Sequence, residues 1–219
     1  MPLNAATPNV VSDMTFRELR VPGAWETVPR LHQDERGMFY EWFTDREFSA
    51  AVGHRFGMQQ ANCSVSSTGV VRGLHFSDVP PGQAKYVTCV RGAVFDVVVD
   101  IRVGSPTFGL WDAVLLDDRE HRSVYIGEGL AHGFLALQDD STVMYLCSSE
   151  YAPGREHTVS PLDPSLGIEW PTTVFGAEWV LSDRDRNAPT LAEARDAGVL
   201  PTWAACEAYV SGLRERLQG

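Results

Sequence analysis

Lys85 is the only lysine in this chain, every other basic side chain apart from the histidines being arginine, and it stands ten residues after His75. Between them, residues 78–82 hold two consecutive prolines and a glycine, which no strand can run through, so the apolar runs on either side are expected to fold back as a hairpin centred near Pro80. His75 and Lys85 then sit at equal distances from the centre, and cross-strand partners share a face of a sheet. An imidazole and an ammonium would project side by side. A compact, titratable ammonium kept among arginines suits a site that needs a point charge.

Taken singly, each candidate has a structural reading that suffices. His75 serves as well as a core histidine bonded to backbone, Arg72 as a strand-edge charge, Tyr145 and Tyr151 as β-forming aromatics, and Asp185 as part of the charge run DRDR at 183–186. A metal centre built on imidazoles and carboxylates needs ligands that converge within ~2.0 to 2.2 Å of one ion. His75 is followed by Phe76 and Ser77 rather than by a second histidine, and His132 is the only other histidine in a strongly strand-like context, so no metal site is expected.

Residues 70–102 read as three strands, the third alternating Phe95, Val97, Val99 and Ile101 with Val94, Asp96, Val98 and Asp100, which predicts a half-buried strand. Before them, residues 1–13 read as a loose arm and 16–28 as an opening strand. A polar turn at 32–37 precedes a strand at 38–43, with Phe39, Glu41 and Phe43 on one face. Thr44 and Glu47 have the spacing of a capping box for a short helix ending at Val52. Gln60 and Asn62 follow at strand spacing. Later strands are predicted at 108–116, 122–126, 130–137 and 142–148. Thr190 with Glu193 makes a second capping box, and 203–217 has apolar residues at helical spacing. Short strands punctuated by Gly and Pro predict an all-β sandwich or jelly roll with helices packed outside it.

The 219 residues, 44% hydrophobic, suffice for a substantial core and predict one domain, 1–219, with a β core over about 15–190 and a helical extension over about 190–219. A net charge of -11 with no basic cluster argues against nucleic acid as a partner. Cysteines at 63, 89, 147 and 206 have no paired spacing and suggest reduced thiols in cytoplasm. The N-terminus lacks the pattern of a signal peptide, and no stretch approaches the ~20 apolar residues of a membrane span.

In combination the residues say more. The runs GVVRGLHF at 69–76, GQAKYV at 82–87, RGAVFDVVVDIR at 91–102, SPTFG at 105–109, EGLAHGF at 128–134 and DPSLGIEWP at 163–171 resemble the dTDP-4-dehydrorhamnose 3,5-epimerase family, in the same order over about residues 30–190. That resemblance implies a cupin-like jelly-roll barrel and an isomerase that inverts C3, C5 or both of a dTDP-4-keto-6-deoxyhexose, with no cofactor and as a homodimer. It implies His75 as general base, oriented by Asp185, Lys85 facing the sugar ketone, and Tyr145 as the acid on the opposite face. Tyr151 would stack on the thymine, and Arg36, Glu41, Gln60, Asn62, Arg72, His132 and Glu156 would contact the nucleotide.

The chemistry agrees with these roles. Deprotonation next to a ketone leaves an enolate, which calls for a base poised near neutral pH, a cation at the oxyanion and an acid across the ring. The chain departs from the family at Cys63, where histidine is common, and at Asp183-Arg184 before Asp185. Both departures resemble relatives from antibiotic deoxysugar synthesis, some of which invert one carbon only. A metal-dependent cupin enzyme and a non-catalytic sugar-nucleotide-binding cupin are the competing classes.

Overall fold

The computed structural model describes residues 13–171 and 179–218; the expected N-terminal arm therefore lies almost entirely outside the described residues. The strands are β1 (Met14–Glu18), β2 (Ala24–Pro29), β3 (His32–Asp34), β4 (Gly37–Phe39), β5 (Gln60–Ser66), β6 (Val71–Ser77) and β7 (Lys85–Arg91). They continue with β8 (Ala93–Asp100), β9 (Trp111–Asp117), β10 (Ser123–Ile126), β11 (Leu130–Ala136), β12 (Ser141–Cys147) and β13 (Glu156–Thr158). Helices α1 (Asp45–Val52), α2 (Asp183–Arg186), α3 (Leu191–Asp196) and α4 (Trp203–Gln218) complete the order.

Two antiparallel sheets face each other as a jelly roll, one in the order β1-β2-β10-β7-β12-β5 and the other β13-β6-β11-β8-β9. From β5 to β8 the chain alternates between the sheets, so the Pro-Pro-Gly turn does not close a hairpin. Instead β6 pairs with β11 and β13, and β7 pairs with β10 and β12. Prolines remove donors where a ladder would have to start, and both strands find complete ladders elsewhere. His75 and Lys85 thus face each other across the sandwich rather than side by side on one sheet.

Apolar residues form three layers. Between the sheets lie Val87, Val94, Val98, Val124, Phe134 and Val143. The outer face of the five-stranded sheet carries Val97, Val99 and Ile101 under Trp170, Leu181, Leu191 and Leu200, so β8 is buried on both faces rather than half-buried as its period suggested. On the outside of the other sheet, Phe48, Phe56, Tyr86 and Tyr125 pack with Trp42 and Phe43.

Local signals fared unevenly. Thr190 and Glu193 make both bonds of a capping box at α3, a motif worth about 1 kcal/mol. Thr44 does occupy the N-cap of α1, but its side chain makes no capping bond, and the Glu47 carboxylate that would complete the box accepts instead from the Asp13 backbone N–H and pairs with Arg46. The opening strand is two, β1 and β2, folded as a hairpin. The strand predicted over 38–43 ends at Phe39, and Phe43 turns inward onto Tyr86 at 5.2 Å.

Candidate active site

Inward-facing positions near one end of the sandwich carry the polar residues. On β6, His75 is registered against His132 of β11, with an irregularity at Gly73 and Gly133 just beyond. Gly73 has φ +124, and a Cβ there would come within 2.5 Å of Gly133 Cα. Two glycines in contact let β6 and β11 close together, and this fixes His75 against His132.

The His75 Nε2 lies 2.7 Å from Asp185 Oδ1. Asp185, which taken alone reads as part of a solvated charge run and which the family resemblance sets on His75, is buried at 4% exposure in the first turn of α2, where Ser182 caps the helix and Gly73 N–H donates to Oδ2. Burial lowers the His75 pKa, Asp185 opposes that, and Lys85 reinforces it, so the imidazole is neutral and basic near neutral pH. For Asp185, burial favours the neutral acid, but the His75, Ser182 and Gly73 bonds outweigh it and hold the carboxyl below its ordinary value.

Across the cleft, Lys85 is 9% exposed, and burial pulls its ammonium below the ordinary lysine value against the opposing influence of Cys147, Glu156 and Asp96. Asp96 is itself bonded to His132, Oδ2 to Nε2 at 2.8 Å. A second imidazole–carboxylate pair therefore stands behind the ammonium. Tyr145 lies on β12, one alternation from Cys147, the cross-strand partner of Lys85. Its phenol is pushed above its ordinary value by burial, with Arg72 and Asn62 acting the other way.

Gln60, Asn62, His75, Lys85, Tyr145, Tyr151 and Glu156 line one cleft of about 160 Å³, together with Gln83 and Arg184. Arg72, Arg184 and Asp185 continue into an adjoining groove of about 410 Å³ that His75 also borders. His132 is buried behind the cleft wall. Arg36 and Glu41 are not brought there by this chain. Arg36 is at the tip of the β3–β4 hairpin, paired with Asp34 and lining a separate hollow with Phe39, and Glu41 is exposed just beyond β4. Short strands pairing only with each other place that hairpin outside both large sheets.

Sequence reasoning missed Arg184, Gln83, Cys147 and Asp96. Arg184 donates to Thr158 Oγ1 at 2.9 Å and to the Glu156 carbonyl, facing the cleft from α2. Its position before Asp185 was the available signal. Gln83, two residues before Lys85 in the GQAKYV run, is held by its bond to the Ser149 carbonyl, and Cys147 and Asp96 owe their place to register across strands. Among the described residues no group of three or more His, Cys, Asp or Glu is placed to hold a metal ion. Chemically, the cleft offers a neutral imidazole base, a buried cation and a phenolic donor around one small volume.

Residues 18–193 match the family described as dTDP-4-dehydrorhamnose 3,5-epimerase. A protein of that description from Mycolicibacterium smegmatis is 68% identical over 204 residues, 93% of this chain and 99% of its own length. A dTDP-4-dehydrorhamnose 3-epimerase from Streptomyces niveus is 56% identical, covering 89% and 92% respectively. Among solved structures, an epimerase from Mycobacterium tuberculosis aligns with a TM-score of 0.89 at 60% identity over 91% of this chain and 100% of its own. A 3'-monoepimerase from Streptomyces bikiniensis in complex with dTDP-quinovose gives a TM-score of 0.86 at 52% identity, over 90% and 98%.

Proposed function

The chain belongs to the dTDP-4-dehydrorhamnose 3,5-epimerase family, and from that premise we propose that it inverts a dTDP-4-keto-6-deoxyhexose next to its ketone, without a cofactor. The observation that carries the reading is the 2.7 Å His75–Asp185 pair opening on the same cleft as Lys85 and Tyr145. His75 takes the proton from carbon, and the C–H electron pair moves into the enolate, whose oxygen is held by the Lys85 ammonium. Tyr145 gives its proton to the opposite face of the same carbon. Solvent then restores the phenol and the neutral imidazole. Arg72 and Arg184 suit the diphosphate, and Tyr151, 57% exposed at the mouth, suits a stacked base. Glu156, on the cleft wall, is left to complete the nucleotide contacts, whereas His132 is held behind that wall by Asp96 and does not reach the nucleotide.

Inversion at both C3 and C5 is the favoured outcome, since the 68% identical relative bears the 3,5 description. NMR of dTDP-4-keto-6-deoxyglucose incubated with the enzyme in heavy water reads the two carbons separately. Deuterium at both is expected. Deuterium at one alone would make the chain a mono-epimerase, and none at either would leave only a sugar-nucleotide-binding cupin.

The working unit is proposed to be a cytoplasmic homodimer. Its four thiols are unpaired, as a reducing compartment keeps them. All six residues of β3 and β4 are exposed, Met38 at 41% and Phe39 at 64%, and among the described residues β5 is the last strand of its sheet. A two-fold exchange of hairpins would cover Met38 and Phe39 and carry Arg36 and Glu41 to the neighbour's cleft.

A further inference from the structure

Three adjacent strands set two rows of side chains toward the cleft. One row holds Gln60, Cys147 and Lys85, and the next holds Asn62, Tyr145 and Val87. Hydrogen bonds run through these rows in one direction. The Tyr151 backbone N–H donates to Gln60 Oε1 at 2.9 Å, Gln60 Nε2 donates to Asn62 Oδ1 at 2.9 Å, and Asn62 Nδ2 donates to Cys147 Sγ at 3.6 Å. Asn62 is also the cross-strand partner of Tyr145, so the amide and the phenol stand side by side on the same face.

A backbone N–H can only donate, so it fixes which end of the Gln60 amide faces it. Gln60 must then offer its NH₂ to Asn62, and Asn62 must turn its own NH₂ toward Tyr145 and Cys147. A phenol oxygen that faces an NH₂ group accepts, and its O–H is left free to point elsewhere, into the cleft. Once the proton has gone, that NH₂ stabilises the phenolate. We infer that Asn62, oriented by Gln60 and the Tyr151 backbone, is a positioning residue that aims the Tyr145 proton at the substrate. This rests on Tyr145 being the acid. It also joins nucleotide seating to proton delivery, because the relay starts at the residue proposed to stack on the base.

Gln60→Glu tests the relay without touching Tyr145. Glutamate keeps the bond to Tyr151 N but offers Asn62 only an acceptor, so the Asn62 amide turns over and its carbonyl captures the phenol proton. Asn62→Asp does the same directly. At saturating dTDP-4-keto-6-deoxyglucose in heavy water, both variants should form the epimer ~10- to 10²-fold more slowly while His75-dependent deuterium exchange with retained configuration stays within about 3-fold of wild type. Parallel loss of exchange and inversion with a raised KM would make Gln60 and Asn62 nucleotide contacts only, and wild-type inversion in both folded variants would leave the relay without a role. Tyr145→Phe separates the two levels. If it inverts normally, the acid assignment itself fails; if it loses inversion while Gln60→Glu keeps it, only the relay falls.

Discussion

The imidazole of His75 is caught between opposing influences: burial and Lys85 favour its neutral form, and Asp185 favours its protonated form. Replacing Asp185 by asparagine removes the one that raises the pKa, so the acid limb of the exchange rate should move to lower pH. The maximal rate should fall as well, since neither tautomer nor ring orientation is then fixed. His75→Asn removes the base and should cost on the order of 10⁴-fold in exchange at every carbon. Deuterium exchange followed from pH 4 to 9 distinguishes the two. An unmoved acid limb in Asp185→Asn would mean that the carboxylate acts on the fold and not through His75. Tyr145 and Lys85 bring opposite tendencies to the alkaline side, the phenol held above its ordinary value and the ammonium below it, both first through burial.

Helix α4 and the turn that joins β6 to β7 meet at a carboxyl. Glu128, between β10 and β11, packs against Gly82 so closely that a Cβ there would lie 2.7 Å from Glu128 Cγ, and it shares buried surroundings with Tyr125 and with Tyr209 of α4. Its Oε2 is buried without a partner, and burial pushes its pKa from an ordinary 4.5 up to about 7. A group whose folded pKa is raised contributes stability that is complete below about 4.5 and is lost as pH rises through about 7, on the order of 3 kcal/mol in all. Glu128→Gln keeps the shape and cannot ionise, so its urea midpoint should change less than that of wild type between pH 4.5 and 8. Parallel curves would mean that Glu128 finds solvation in the folded protein.

The turn beside Glu128 also shows what the sequence conceals. Its prolines and glycine marked a reversal correctly, and the periods of β6, β7 and β8 marked strands correctly. What local pattern could not show is which sheet each strand joins, because ladder partners such as His132 for His75 and Cys147 for Lys85 lie more than 50 residues away. The same holds for the site. Motifs disclosed most of the residues that face the cleft, and strand spacing put Gln60 beside Asn62, whereas Asp96 behind His132 and the bonds from Tyr151 to Gln60 and from Asn62 to Cys147 join residues far apart in sequence.

A net charge of -11 repels a dianionic nucleotide at long range, so binding must rest on arginines placed at the site. Within one chain those are Arg72 and Arg184; Arg36, on an exposed hairpin away from its own cleft, adds to them only if it serves a neighbour. Two crippled variants can decide this. Arg36→Ala has an intact site but a damaged hairpin, and His75→Asn has a dead site but an intact hairpin. If hairpins are exchanged, mixed dimers combine the sound hairpin with the sound site, and dissociating and reassembling the two variants in equal amounts should restore about a quarter of wild-type activity by random pairing. If each hairpin serves its own chain, the mixture should have only the average activity of its two components. Phe39→Asp adds an independent reading, since a charge on the apolar hairpin should shift the protein from dimer to monomer in light scattering. A monomeric wild type, or a mixture no more active than its parts, would return Arg36 and Glu41 to the solvent-exposed roles that a single chain gives them.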